Sequence, residues 1–228
     1  MNSTVKQLLG TCLAACCVAS VQAGTLTVNK FVDGTDASTG ISNSITYTHA
    51  IDVLQSGTAA VINGVTFDNS LGSYSLTGAG NNFSGNTTNN NADPASEIYK
   101  MLDTFKYNGK PGVLTVSGLT PGETYKLRLY VTSWVGTDVD MSFDDTAVAT
   151  VYTNLDRGAD HNFPASFDYV YTLGAGDTDL QVSISPVPAK PNDTFHWYGF
   201  TNEVVPEPSS LALLGLGGLL IARRRRSM

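Results

Sequence analysis

The sequence predicts an all-β body, an antiparallel sandwich or barrel with one short helix, and three observations carry that reading. Thr, Asn, Ser and Gly are abundant while long Glu/Lys/Leu/Ala stretches are missing, a balance that favours short strands joined by turns. Segments that alternate apolar and polar residues recur along the chain. Turn clusters separate them about every eight to twelve residues, the spacing of a sandwich or barrel.

Taken in order, Thr25-Leu26-Thr27-Val28 and Ser44-Ile45-Thr46-Tyr47-Thr48 alternate as half-buried strands. Residues 60–62 and 65–67 flank Asn63-Gly64, which reads either as a two-residue hairpin turn or as a bulge within one longer strand. Residues 81–91 are rich in Asn, Gly and Thr, with Phe83 almost the only apolar side chain, and are expected to form a surface loop. A helix follows, with Asp93 as its cap, Pro94 at its first position, and Ile98, Met101, Leu102 and Phe105 on one face. Further strands are expected at 113–116, 125–131, 139–143, 147–152, 167–173, 180–184 and 197–200.

The two ends do not read as part of this body. Residues 1–23 have the layout of a secretory signal: Lys6, an apolar core from Leu8 to Ala19, and a small-residue cleavage motif ending at Ala23, so that the exported chain begins at Gly24. Leu13-Ala14-Ala15-Cys16 offers a lesser alternative, in which Cys16 is lipidated. At the other end Pro206-Glu207-Pro208 is followed by Ser209-Ser210, an apolar run from Leu211 to Ala222, and Arg223, Arg224, Arg225 and Arg226. The prolines keep the preceding backbone extended. The apolar segment would make a helix of roughly 21 Å, short for a full span unless the arginines snorkel. Those arginines hold that end on the cytoplasmic side, which puts the body outside. The chain therefore divides into a signal (1–23), an extracellular body (24–204) and a membrane-directed tail (205–228).

This tail resembles the PEP-CTERM sorting signal: the tripeptide, the apolar segment and the basic end stand in the expected order and spacing. The resemblance covers about the last 23 residues and implies processing near Pro206 to Pro208 by exosortase, a membrane-embedded cysteine protease of Gram-negative bacteria that make exopolysaccharide. It implies export, transient membrane anchoring through the C-terminal helix, and sorting to the cell envelope or extracellular matrix.

Within the body, Ser117-Gly118-Leu119-Thr120-Pro121-Gly122-Glu123-Thr124-Tyr125 resembles a turn of extracellular β-sandwiches whose later tyrosine packs back on the turn. The body's length, its lone helix and the closing Phe195-His196-Trp197-Tyr198-Gly199-Phe200 segment resemble a galactose-binding-like jelly roll. The implied fold is a jelly-roll-like antiparallel β-sandwich.

Composition excludes several functions. The whole chain carries a formal charge of −7; without its ends eight basic and 19 acidic residues remain, a net charge of −11. Such a body does not suit nucleic acid or anionic lipid, but suits neutral sugars or divalent cations. All three cysteines, Cys12, Cys16 and Cys17, lie in the signal, so the body has no disulfide, thiolate site or cysteine nucleophile. There is no phosphate-cradling glycine loop, Gly-x-Ser-x-Gly elbow or His-Glu-x-x-His motif, and His49, His161 and His196 are scattered. The chain therefore reads as non-catalytic.

Two sets of residues remain as binding candidates. Asn154, Asp156, Gly158 and Asp160 alternate as oxygen ligands for calcium do, with Asp156 and Asp160 the metal candidates. No bidentate glutamate closes the pattern, and solvated turn residues are its plain reading. Asp138, Asp140, Asp144 and Asp145 lie nearby, and a paired-carboxylate glycan hydrolase is the enzymatic alternative. Sugars stack on flat rings, for which Trp134, in a polar stretch, and Tyr130 are the candidates; Trp197 reads as core. Three readings follow: a surface or matrix protein binding exopolysaccharide, an extracellular glycan-active enzyme, and a purely structural adhesion or biofilm component. The first fits the missing catalytic motifs best.

Overall fold

A computed structural model describes residues 24–206, apart from residues 56, 69–70, 87–90, 133–139, 146–149, 157–162, 187, 189–190 and 193; for 140–145 and 150–156 it describes the backbone. Among the described residues the chain is almost wholly antiparallel β-structure with one short helix, as the sequence predicts. One five-stranded sheet runs in the order β1 (Thr25–Lys30), β12 (Ala165–Thr172), β9 (Thr124–Val131), β14 (Gly199–Val204), β2 (Tyr47–Asp52). The other runs β11 (Thr150–Asp156), β10 (Asp140–Asp145), β13 (Leu180–Pro186), β8 (Gly112–Ser117), β5 (Ser73–Thr77). Two hairpins complete the fold, β3 (Ala60–Ile62) with β4 (Val65–Phe67), and β6 (Asn81–Ser84) with β7 (Thr104–Tyr107).

Alternation explains the main core. Tyr125, Leu127, Leu129 and Val131 on β9 turn one way and, with Phe167, Tyr169 and Phe200, meet Leu114, Val116, Val182 and Ile184 of the second sheet. Each such side chain contributes about 1.5–3 kcal/mol on leaving water. Between Ser117 and Tyr125 the Tyr125 hydroxyl accepts the Thr120 N–H at 2.8 Å, so the tyrosine does pack back on its turn. Asn63 and Gly64 both take positive φ (50° and 82°), the twist that a two-residue hairpin requires, which decides for the hairpin over the bulge.

The first sheet's other face is covered too. Strand β9 carries Arg128 and Tyr130 there, an alternation that reads as solvent-facing, yet both are buried. Phe31, Ile41, the β3–β4 hairpin and helix α1 (Glu97–Leu102) close over them in a second apolar cluster with Ile98, Met101 and Leu102. The Arg128 guanidinium holds the Asp168 carboxylate through Nε (2.9 and 3.0 Å) and Nη2 (2.8 Å). It also donates from Nη1 to the Thr39 carbonyl at 3.0 Å, tying the covering segment to the sheet.

Three expectations need correction. Helix α1 begins at Glu97, not beside Asp93: Asp93 closes its own turn by accepting the Ala95 N–H, and Ser96 is the cap, accepting from Tyr99. Asp36, sixty residues away in sequence, accepts the Glu97 and Ile98 N–H groups at 3.1 and 2.8 Å. Phe105 belongs to β7, not to the helix. Residues 81–84 form β6 rather than loop, because Phe83 stacks on Phe105 at 5.0 Å and the two strands pair through Asn81–Ser84 and Thr104–Tyr107.

Asp52, at the end of β2, makes stability depend on pH. It is buried, its Oδ1 accepts the Leu54 N–H at 3.2 Å, and burial pushes its pKa up to about 7. The folded state therefore holds the proton more tightly than the unfolded chain, so stability falls as pH rises from about 4 to about 7 and is level above that. Asp52→Asn keeps the acceptor and should remove that slope, by at most about 4 kcal/mol at pH 8 and by almost nothing at pH 4. His49 acts in the opposite sense, since burial lowers its pKa and acid must charge it. Urea titrations of both proteins across this range isolate the Asp52 share as their difference. Equal slopes would show that Asp52 carries none.

Candidate functional site

The register of the first sheet defines two ends. Thr25 pairs with Val170, Val170 with Lys126, and Lys126 with Glu203, so these four form one row across β1, β12, β9 and β14. At the opposite end stand Lys30, Ala165 and Val131, with Gly199 and Asp52 in the adjoining strands.

The tail leaves from the first end. Strand β14 lies between β9 and β2, and its hydrogen bonding continues to the edge of the Pro-Glu-Pro tripeptide: Val204 N–H donates to Thr46 (3.2 Å) and Val205 N–H to Thr124 (2.9 Å). Pro206 is exposed. Beside it opens a cleft of about 600 Å³ lined by Ile45, Lys126, Val170, Glu203, Val205 and Pro206, among others. Lys126 and Glu203 pair at its wall; the second Glu203 oxygen is buried without a hydrogen-bond partner. Gly24 sits at the same end, and a Cβ there would fall 2.1 Å from the Tyr169 hydroxyl, so Gly24 is packed against the sheet.

The segments that carry the binding candidates adjoin strand ends on the opposite side of the sheet. Strand β9 stops at Val131 before the segment carrying Trp134, and β12 starts at Ala165 after the segment carrying Asp160. In the second sheet Asp140 and Asp156 are cross-strand partners, and Met141 pairs with Pro186. Pro186 follows Ile184, the partner of Gly112 at the start of β8. Trp134, Asp138, Asp160 and His161 lie outside the described residues, as do Ala23, Glu207, Pro208 and Arg223 to Arg226, and of Asp156 only the backbone is described. Among the described residues no group of three or more His, Cys, Asp or Glu could hold a metal, and no helix is long and apolar enough to cross a membrane.

Tyr130 is not an exposed contact. It is 1% exposed, its ring packs against Phe31 and Phe67, and its hydroxyl lies 3.4 Å from the Thr201 hydroxyl. The second apolar cluster removes it from any ligand. Trp197 is core, as expected. His49 and His196 are buried, the first with Nε2 2.9 Å from the Ser73 carbonyl and the second stacked on Phe105 at 4.2 Å. Sequence reasoning passed over Phe163, which is 39% exposed, and Val32, 83% exposed. The Phe31 N–H donates to the Pro164 carbonyl at 2.9 Å, which brings the backbone beside Val32 close to that beside Phe163 at the end opposite the tail. The signal was present in Phe163-Pro164, an aromatic residue before a proline at the close of a polar stretch.

A β-sandwich whose central strand β14 runs directly to the start of the Pro-Glu-Pro segment is the class of molecule that these features define. Residues 204–226 match the family model of the PEP-CTERM protein-sorting motif, which marks an exported protein, transiently anchored in the membrane and sorted to the cell surface. No curated protein matches the chain in sequence. Among solved structures it is similar to the plant receptor-like kinase ANX2 (TM-score 0.54, 12% identity, 71% of this chain and 49% of that one). It is also similar to the ANX1 ectodomain (0.53, 12%, 71% and 49%) and the ANXUR1 extracellular domain (0.52, 14%, 70% and 49%), both from Arabidopsis thaliana. This chain spans about half the length of each, and the likeness is one of fold: a β-sandwich body.

Proposed function

We propose that this chain is a non-catalytic surface protein that binds polysaccharide through the end of its sandwich opposite the sorting tail. The observation that carries the reading is spatial: the segments bearing Trp134 and Asp160 attach at Val131 and Ala165, beside exposed Phe163 and Val32, while the tail leaves from the other end. Apolar sugar faces stack on aromatic rings, and an acidic, cysteine-free body does not compete for nucleic acid. Export is by the signal at 1–23 and the export machinery, with processing by an exosortase-type protease near Pro206, Glu207 and Pro208.

The test is a glycan array probed with residues 24–205, with and without calcium. Binding is expected, and Trp134→Ala or Phe163→Ala is expected to weaken it by about 1–3 kcal/mol, roughly tenfold or more. Loss on chelation would place calcium at Asp156 and Asp160; binding that survives chelation leaves them as solvated turn residues. Hydrolysis of a glycan abolished by Asp→Asn changes between 138 and 160 would replace this reading with the enzymatic one. An array silent in both conditions would make the protein a structural matrix component.

A further inference from the structure

We propose that the end of the sandwich carrying Gly24, Lys126 and Val205 is a membrane-facing surface, kept within about 20 Å of the bilayer by a short, directed tether, with the opposite end pointing away. The proposal rests on the sorting motif and on no assumption about a ligand.

Three observations support it. The tether is short, because the apolar run begins at Leu211, six residues after Val205, and six residues reach at most about 20 Å when fully extended. Its exit is directed: the Val204 and Val205 N–H groups are bonded to Thr46 and Thr124, so the chain leaves along the strand axis. Pro206 disfavours helix at Val205, so the chain does not fold back where it leaves the sheet. The third observation is the other chain end. Gly24 is at the same end of the sheet, three strand spacings from β14, about 14 Å. A signal segment still attached at Gly24 and the tail's apolar run would therefore enter the same membrane without strain on the folded body.

Adhesion is not needed for this arrangement, and charge opposes it. The turns at the tail end expose Glu123, Asp177 and Asp179, which an anionic surface repels. The tether alone holds the face down. The β9 strand adds about 24 Å of height, which carries Val131 and Ala165 outward.

The cysteine-free body permits a direct test in the full chain, exported in cells lacking the sorting protease so that the tail stays anchored. Single cysteines replace exposed residues at the two ends: Ala175→Cys, in the turn between β12 and β13 at the tail end, and Val32→Cys at the opposite end. In spheroplasts stripped of the outer membrane, a bulky maleimide that cannot cross the inner membrane should label Val32→Cys severalfold faster than Ala175→Cys. Inserting about twenty Gly/Ser residues between Val205 and Pro206 should make the two rates equal, because the body is then free to tumble. Equal rates without the insertion, faster labelling of Ala175→Cys, or a difference that persists with the long linker would each overturn the proposal.

Discussion

Replacing Asp168 by alanine is expected to destabilise the body by about 3–5 kcal/mol, a fall in Tm of roughly 10 °C for a domain of this size. The carboxylate is buried, receives three guanidinium hydrogen bonds from Arg128 and accepts the Ser166 hydroxyl at 2.7 Å. Its removal leaves the guanidinium charged in a largely buried site, with the Thr39 carbonyl at 3.0 Å and the Tyr130 hydroxyl as its remaining partners. Burying a charge without its counter-ion is the costly event, more than the loss of the pair's attraction. The double change Arg128→Met with Asp168→Leu should recover part of the loss but not all of it, because Thr39 and Ser166 would still lack their partners. Urea unfolding of residues 24–205 measures all three proteins. A loss below about 1 kcal/mol for Asp168→Ala would mean that water reaches the pair.

The second large effect concerns where the chain can end. A body ending at Val205 should unfold cooperatively, whereas one ending at Tyr198 should not fold. The missing residues are β14, which separates β9 from β2, and with it go Phe200 from the main core and Asn202, whose side chain joins the Tyr171 hydroxyl to Thr48. A central strand carries more than a domain's whole margin of about 5–15 kcal/mol. An intermediate truncation after Glu203 removes the Val204 and Val205 hydrogen bonds and should cost about 1–3 kcal/mol. Far-UV and near-UV circular dichroism through heating distinguishes the three. A cooperative transition in the shortest chain would show that β2 and β9 close up without β14.

These expectations depend on contacts that the sequence disclosed unevenly. Strands with clean alternation and a tight turn beside them, such as β8, β9, β12 and β13, could be read because both faces of the pattern follow from local spacing. The Tyr125 turn and the Asn63-Gly64 hairpin were legible for the same reason: the chemistry is complete within a few residues. Helix α1 was displaced because half its capping comes from Asp36, a partner that no local window contains. Strand β6 was hidden by its asparagines, and β5, although Tyr74 and Leu76 alternate in it, was passed over among small polar residues. Tyr130 shows the deeper limit. Period two says that Lys126, Arg128 and Tyr130 share a face, but not that residues 31–45 and a helix fold over it.

The candidate site divides the same way. The Pro206-Glu207-Pro208 tail is a linear signal and was legible entire, whereas which strand ends flank the segments of the binding candidates is a property of register. Phe163 gained meaning only when Val131, Ala165 and Pro164 were placed together.

The central claim is that this is an exported body trimmed at both ends close to its fold and sorted through residues 204–226. Intact-mass measurement of the protein released from the surface of cells that process it tests that claim most directly. The account predicts a chain that starts at Gly24 and ends between Val205 and Pro208, with Gly24 packed against Tyr169 and Val205 bonded to Thr124. A chain that starts at a lipid-modified Cys16, or that still carries Arg223 to Arg226, would contradict it.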